Sequence, residues 1–363
     1  MRLFTTIAVA AVTALPLAAC SGTSGSPASS SATTSSGSST SASATSSATA
    51  STDSGTQATP AIVAATKAFI ATLSDSEKSA GLFELSNSAQ RQKWSNLPAS
   101  LYSRSGLKWG DLNSTAQAAW LKVMQATLSA EGYTRVRGAW LADDQLQGGD
   151  YGSGNYYIAI MGTPSTTDAW QWQWGGHHIT VNATIKGNDI SLTPSFIGVQ
   201  PATYSADGTE TRPLGDIEDE AFALLGSLDD SQKSTAIIGD TLIDLVLGPG
   251  QDGRTIENEG LPGSKMTDAQ KTSLLGLVAE YGNLANAEDG AARMATLKAD
   301  LDSTYFAWSG PTTQGQGIYF RVTGPHVVIE YSGQQMGGNA SDHVHGIYRD
   351  PTNDYGAAIG AGL

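Results

Sequence analysis

A chain of 363 residues with 20 Lys+Arg against 34 Asp+Glu carries a formal net charge of −14, and it holds one Cys, five His, 41 Gly and 13 Pro. The acidic balance excludes a nucleic-acid partner, which needs a basic surface to displace counterions from phosphates. The single Cys excludes a disulfide framework and any Cys-rich zinc or iron–sulfur site.

In chain order, Arg2 is the only charge ahead of a run of apolar and small residues at 3–19. The run is shorter than the ~20 residues a membrane-spanning helix needs, and it reads as a secretory signal. It ends in Leu17-Ala18-Ala19-Cys20, the arrangement of a bacterial lipoprotein signal. Residues 1–19 are therefore expected to be removed and Cys20 to be the lipidated first residue of the mature chain; an ordinary cleaved signal with an incidental Cys is the alternative. The expected partner is a membrane, reached through acyl chains on Cys20 rather than by a span, and the expected location is extracytoplasmic. From 21 to 60, 25 of 40 residues are Ser or Thr and Asp53 is the only charge. Such a tract cannot bury apolar surface, so residues 20–60 are expected to form a flexible tether. Arg2 and Asp53 cancel, which places the whole acidic balance on residues 61–363.

The rest of the chain repeats itself. Leu73-Ser74-Asp75-Ser76-Glu77-Lys78-Ser79 recurs as Leu228-Asp229-Asp230-Ser231-Gln232-Lys233-Ser234; Gly106-Leu107 is answered by Gly260-Leu261, and Gly176-His177-His178 by Gly324-Pro325-His326, in the same order. Residues 61–212 and 213–363 are thus expected to be two copies of one unit. Within the first, residues 64–73 and 118–128 place apolar side chains at helical spacing, with Ser114 and Thr115 as cap candidates for the second helix. Residues 156–161, 169–174 and 178–185, like 318–322 and 326–331, are β-branched and aromatic runs broken by Gly and Pro, as antiparallel strands are. Helices followed by strands, twice over, predict an α+β fold with an internal duplication of a helices-then-antiparallel-strands unit and pseudo-twofold symmetry. Whether the two sheets merge is left open.

The stretches Trp172-Gln173-Trp174-Gly175-Gly176-His177-His178, Pro194-Ser195-Phe196-Ile197-Gly198, Ile318-Tyr319-Phe320-Arg321-Val322-Thr323-Gly324-Pro325 and Asp342-His343-Val344-His345-Gly346-Ile347-Tyr348-Arg349-Asp350 resemble a bacterial secreted family known only as domain of unknown function 3500. The resemblance covers essentially all of 61–363. It implies a shared fold and a set of positions, and no activity.

The chemistry must come from the side chains. All five His fall in two neighbourhoods, His177/His178 and His326/His343/His345. Residues two apart on a strand share a face, so His343 and His345 are expected to point the same way. By the same rule His177 and His178 point apart unless Gly175-Gly176 makes a bulge, while His326 and Glu330 of the second copy answer His178 and Asn182 of the first. One reading is a metal site of His343, His345 and His178 with His326 nearby, in which neutral imidazoles suit zinc or copper and an open position takes water or substrate. Glu330, Asp350 and Arg349 are then the candidate acid/base and orienting groups, and His177, Trp174 and Asp354 further pocket residues. A second reading makes the His structural, with Arg349 and Asp350 forming an ion pair; a third is metal-free proton transfer by a His. The Trp residues 170, 172, 174 and 308 are read as sheet core before sugar platform, and 248–253 as a surface loop. Two function classes follow: a surface-anchored metal-dependent hydrolase acting on an envelope or extracellular substrate, and a non-catalytic lipoprotein that captures a metal ion or small ligand between its halves.

Overall fold

The structure, a computed structural model, describes residues 58–206, 208–336 and 338–363. The expected signal, Cys20 and nearly all of the tether lie outside the described residues. In the first half, helices α1 (Ala58–Ala71) and α2 (Asp75–Gly81) lead to strand β1 (Leu82–Phe83), the short helix α3 (Ser88–Arg91) and strand β2 (Leu107–Lys108). Helices α4 (Ser114–Thr127) and α5 (Ala130–Ala142) follow, then strands β3 (Tyr157–Met161), β4 (Trp170–Gly175), β5 (Ile179–Lys186), β6 (Asp189–Ser191) and β7 (Ser195–Ile197), and a small hairpin, β8 (Tyr204–Ala206) and β9 (Thr209–Thr211). The second half runs α6 (Gly215–Ser227), α7 (Asp230–Ala236), β10 (Ile237–Gly239), β11 (Leu261–Pro262), α8 (Asp268–Gly282), α9 (Ala287–Ala299), β12 (Tyr305–Ser309), β13 (Tyr319–Gly324), β14 (Val327–Gly333) and β15 (Val344–Arg349).

The chain therefore mixes helices and sheet, as an α+β fold does. Local chemistry explains the boundaries. The recurring Leu-Ser/Asp motif is a helix start in both places: Ser74 and Asp229 each cap their helix, and Glu77 and Gln232 reach back to complete a capping box. The first helix begins at Ala58, earlier than the apolar spacing predicts, with Pro60 in its first turn, where a missing N–H costs nothing. The cap of α4 is Asn113, whose side chain accepts from the Ala116 N–H, and not Ser114 or Thr115.

Thirteen strands form one sheet, in the order β1-β3-β4-β5-β7-β15-β14-β13-β12-β10 with β2, β6 and β11 alongside. The strands of the two halves merge edge to edge: β7 pairs antiparallel with β15 through Phe196↔Ile347 and Ser195↔Tyr348. The two faces of this sheet differ. Helices cover one, where Trp120 and Trp140 meet Trp172 and Trp174 edge-on at 5.4 and 4.8 Å, Phe222 meets Trp308 at 4.9 Å and Tyr281 meets Tyr348 at 5.8 Å. The Trp side chains at 170, 172, 174 and 308 are fully buried there and form core.

The other face is buried yet polar. It carries Gln171, Gln173, Asn182, Ser332, Glu330 and Arg349, and two loops supply their partners. Arg91 donates to Gln171 at 2.7 Å and its carbonyl accepts from Gln173 at 3.2 Å. The Val246 and Leu247 N–H groups donate to Glu330 at 2.9 and 2.7 Å, and Arg349 donates to the Leu247 carbonyl at 2.8 Å. Trp94, Phe196 and Ile347 make a small apolar plug between these loops. Buried polar groups need such partners, which is why this face is covered by irregular chain with free backbone groups rather than by helices.

Candidate metal centre

Three strands of the central ribbon set up the site. The pairs Ile179↔Ile197, Phe196↔Ile347 and the bridge Val199↔Val344 place Gly198 opposite both His178 and His345. His178 and His345 thus stand two strands apart, about 10 Å between backbones, with a residue lacking a side chain between them. A Cβ on Gly198 would lie 2.9 Å from the Val344 carbonyl oxygen and 3.1 Å from the His345 ring, so only glycine leaves room for the imidazoles to close over it. His343 stands two residues before His345, where the ladder continues as Gln334 N–H to His343 carbonyl at 2.7 Å.

The imidazoles converge. The Nε2 atoms of His178 and His343 are 2.9 Å apart and those of His343 and His345 are 3.1 Å apart, all three residues being buried. His343 Nδ1 lies 2.6 Å from the Met336 carbonyl, which can only accept, so that nitrogen carries the proton and Nε2 presents a lone pair. His178 Nδ1 lies 3.4 Å from the Asp143 carboxylate and makes no hydrogen bond. His345 Nδ1 sits 3.5 Å from the Asn96 side-chain amide. An imidazolium would place a hydrogen between His178 and His343, yet burial pushes His178 and His345 well below the ordinary histidine range and lowers His343 too, against the opposing pull of the Met336 carbonyl. Three neutral imidazoles whose Nε2 atoms converge at 2.9 and 3.1 Å form a donor set that a first-row cation can occupy.

His177 and His178 do not point apart. They occupy the two-residue turn joining β4 to β5, closed by the Gly176 N–H to Ile179 carbonyl bond at 2.8 Å, where strand alternation does not apply. Their rings stack with centroids 3.5 Å apart. His178 has φ +68°, a left-handed backbone that L residues other than Gly and Asn adopt at a cost. Both rings address Asp143, which lies 2.8 Å from His177 Nδ1. Asp143 is fully buried at the C-terminal end of α5, where the helix field disfavours negative charge. Burial raises its pKa, with the hydrogen bond from His177 acting against that rise, and the Tyr156 hydroxyl is 3.3 Å from its other oxygen. Asp143 escaped the sequence reading. The signal was an acidic residue at the end of a helix, the end that favours bases.

The other expected site residues lie elsewhere. His326 lies in the turn just before β14, at the end opposite Ser332, which pairs with His345, and six residues of extended chain span about 20 Å. Its Nδ1 meets Asp300 at 2.5 Å and its carbonyl accepts from Arg293, so it is not beside the three-His cluster. The Glu330 carboxylate is filled by the Val246 and Leu247 N–H groups and the Tyr319 hydroxyl at 2.8 Å. Arg349 and Asp350 do not pair with each other, because neighbours on a strand face opposite ways: Arg349 bonds Asp354 at 2.7 Å and Asp252 at 3.0 Å, and Asp350 bonds Arg293 at 2.5 Å. Trp174 is core on the helix side, stacked on Tyr156 at 5.4 Å.

Among the described residues, two groups of side chains could hold a metal ion: His178, His343 and His345, and Asp143, His177 and His178. In comparisons with known proteins, the model of one family, described as protein of unknown function (DUF3500), matches residues 55–357. The chain belongs to that family. No curated protein and no solved structure matches it.

Proposed function

We propose, for a member of a family whose description assigns no activity, that this chain is a metal-binding protein of the cell exterior whose ion, zinc or copper, is held by the Nε2 atoms of His178, His343 and His345. The observation that carries this reading is the convergence of three buried imidazoles, whose Nε2 atoms lie 2.9 Å apart between His178 and His343 and 3.1 Å apart between His343 and His345. First-row ions hold imidazole nitrogens about 3 Å apart when each bond is about 2.0 to 2.1 Å. A second reading, hydrolysis, is favoured by the ligand count: three protein ligands leave a position where a bound water becomes nucleophilic near neutral pH. Glu330, Arg349 and Asp350 are engaged in other bonds and supply no base to that step.

Elemental analysis of untagged full-length protein should find zinc or copper, and His343→Ala and His345→Ala should lose it while keeping the circular-dichroism spectrum of the parent. Metal-free parent protein that stays metal-free after incubation with Zn²⁺ or Cu²⁺ sinks the reading. If the site is hydrolytic, zinc-loaded parent should cleave an activated ester and the His343→Ala protein should not.

The sequence Leu17-Ala18-Ala19-Cys20 and the tether behind it support anchoring by acyl chains on Cys20. Cys20→Ser should then move the protein from the detergent-rich to the aqueous phase in Triton X-114 partition; unchanged partition argues for the ordinary signal instead. The two halves, 61–212 and 213–363, are in this proposal copies of one unit. Support comes from the sheet order, which reads β5, β4, β3 outward from β7 and β14, β13, β12 outward from β15, and from the carboxylate at the end of α5 beside His177, which Asp300 beside His326 answers after α9.

A further inference from the structure

The two candidate ligand groups share one residue. His178 directs Nε2 at His343 and His345 and Nδ1 at Asp143, and Asp143 also holds His177. We propose that His178 is a bridge between two metal ions, one held with His343 and His345 and a second held with His177 and Asp143. This rests on the three-His reading and extends it.

Three observations support the second position. The Asp143 Oδ1 to His177 Nδ1 and His178 Nδ1 separations, 2.8 and 3.4 Å, bracket the edges of a first-row coordination polyhedron with bonds of about 2.0 to 2.1 Å. His178 Nδ1 is buried and has no hydrogen-bond partner, so its last polar atom is aimed into the group and unused. Asp143 is fully buried at a helix C-terminus, a place that costs stability for a carboxylate and that a dication would repay locally. Two nitrogens and one carboxylate oxygen form a donor set suited to Zn²⁺ or Cu²⁺.

The balance is simple. A neutral His178 ring gives Nε2 to the first ion; binding the second at Nδ1 breaks the N–H bond, and that proton leaves to solvent as metal binding at protonated ligands requires. No electron moves. His177 gives up its Nδ1 proton to the Nε2 tautomer of the same ring and stays neutral.

The test is metal stoichiometry with Zn²⁺ as the probe, on full-length untagged protein in detergent, desalted against a weak chelator. The parent should hold two zinc per chain, and His177→Ala should hold one. Loaded with Cu²⁺, the parent should give a mononuclear electron paramagnetic resonance signal at one equivalent and lose integrated intensity at the second, because an imidazolate couples the two spins. One zinc per chain in the parent, weakened ~10- to 100-fold in Asp143→Asn, overturns the bridge and leaves Asp143 as a residue that orients His178. No zinc in the parent overturns the three-His reading along with it. If His177→Ala fails to fold, the parent stoichiometry and the copper titration still decide.

Discussion

His178 is the costliest residue of the centre for the fold. It combines a left-handed backbone, about 1 to 2 kcal/mol for an ordinary L residue, with a fully buried ring whose Nδ1 has no hydrogen-bond partner. Strain of this kind persists where the surrounding structure overrules it, and it clusters at sites of function. His178→Asn tests this directly, since Asn tolerates the left-handed region. The metal-free variant should melt no lower than the metal-free parent, and up to a few degrees higher, while losing the metal of the three-His cluster. A drop of several degrees in the metal-free state would make His178 a structural residue. The juxtaposition of His343 and His345 was legible, because a two-residue spacing on a strand fixes a shared face whatever the fold around it. His177 beside His178 was not, because the pair lies in a turn, where the period-two rule has no force.

At the scale of elements, the strands around the centre were readable and their pairing was not. Alternation in 169–174 and 178–185 marks β4 and β5, but nothing local says that β7 and β15 lie side by side, and only that pairing brings Gly198 between His178 and His345. The sequence match sets His326 and Glu330 against His178 and Asn182, yet the direction of β14 carries His326 to the end of that strand far from His345. A match in sequence therefore does not place two residues in one neighbourhood. The cap of α4 shows the same limit on a smaller scale: Asn113, Ser114 and Thr115 are all competent caps, and the one chosen depends on where the preceding turn releases the chain.

For the whole molecule, the polar buried face makes stability depend on pH. His178, His343 and His345 have pKa values below the ordinary range when folded, chiefly through burial. The stabilisation tied to their neutral state is therefore present above their unfolded value, about 6.5, and is lost as pH falls below it, because the unfolded chain takes up protons that the folded chain refuses. With three such groups the slope approaches about 4 kcal/mol per pH unit once well below 6.5; Asp143, whose pKa burial raises, opposes the trend at lower pH. Metal-free protein should show a melting temperature that falls steadily from pH 7.5 to 5.5, and His343→Ala/His345→Ala protein a shallower fall over the same range. Equal slopes in the two proteins would remove the His cluster as the cause.

The ribbon of β5, β7 and β15 has one more consequence, for timing. His178 comes from the middle of the chain, and His343 and His345 stand about twenty residues from Leu363, on the strand that the sheet receives last in chain order. Until β15 docks against β7 the three imidazoles of the proposed site are apart, and the hairpin turn carries only His177 and His178 beside Asp143. Assembly of the proposed three-His site therefore waits on the pairing that joins the two halves of the sheet.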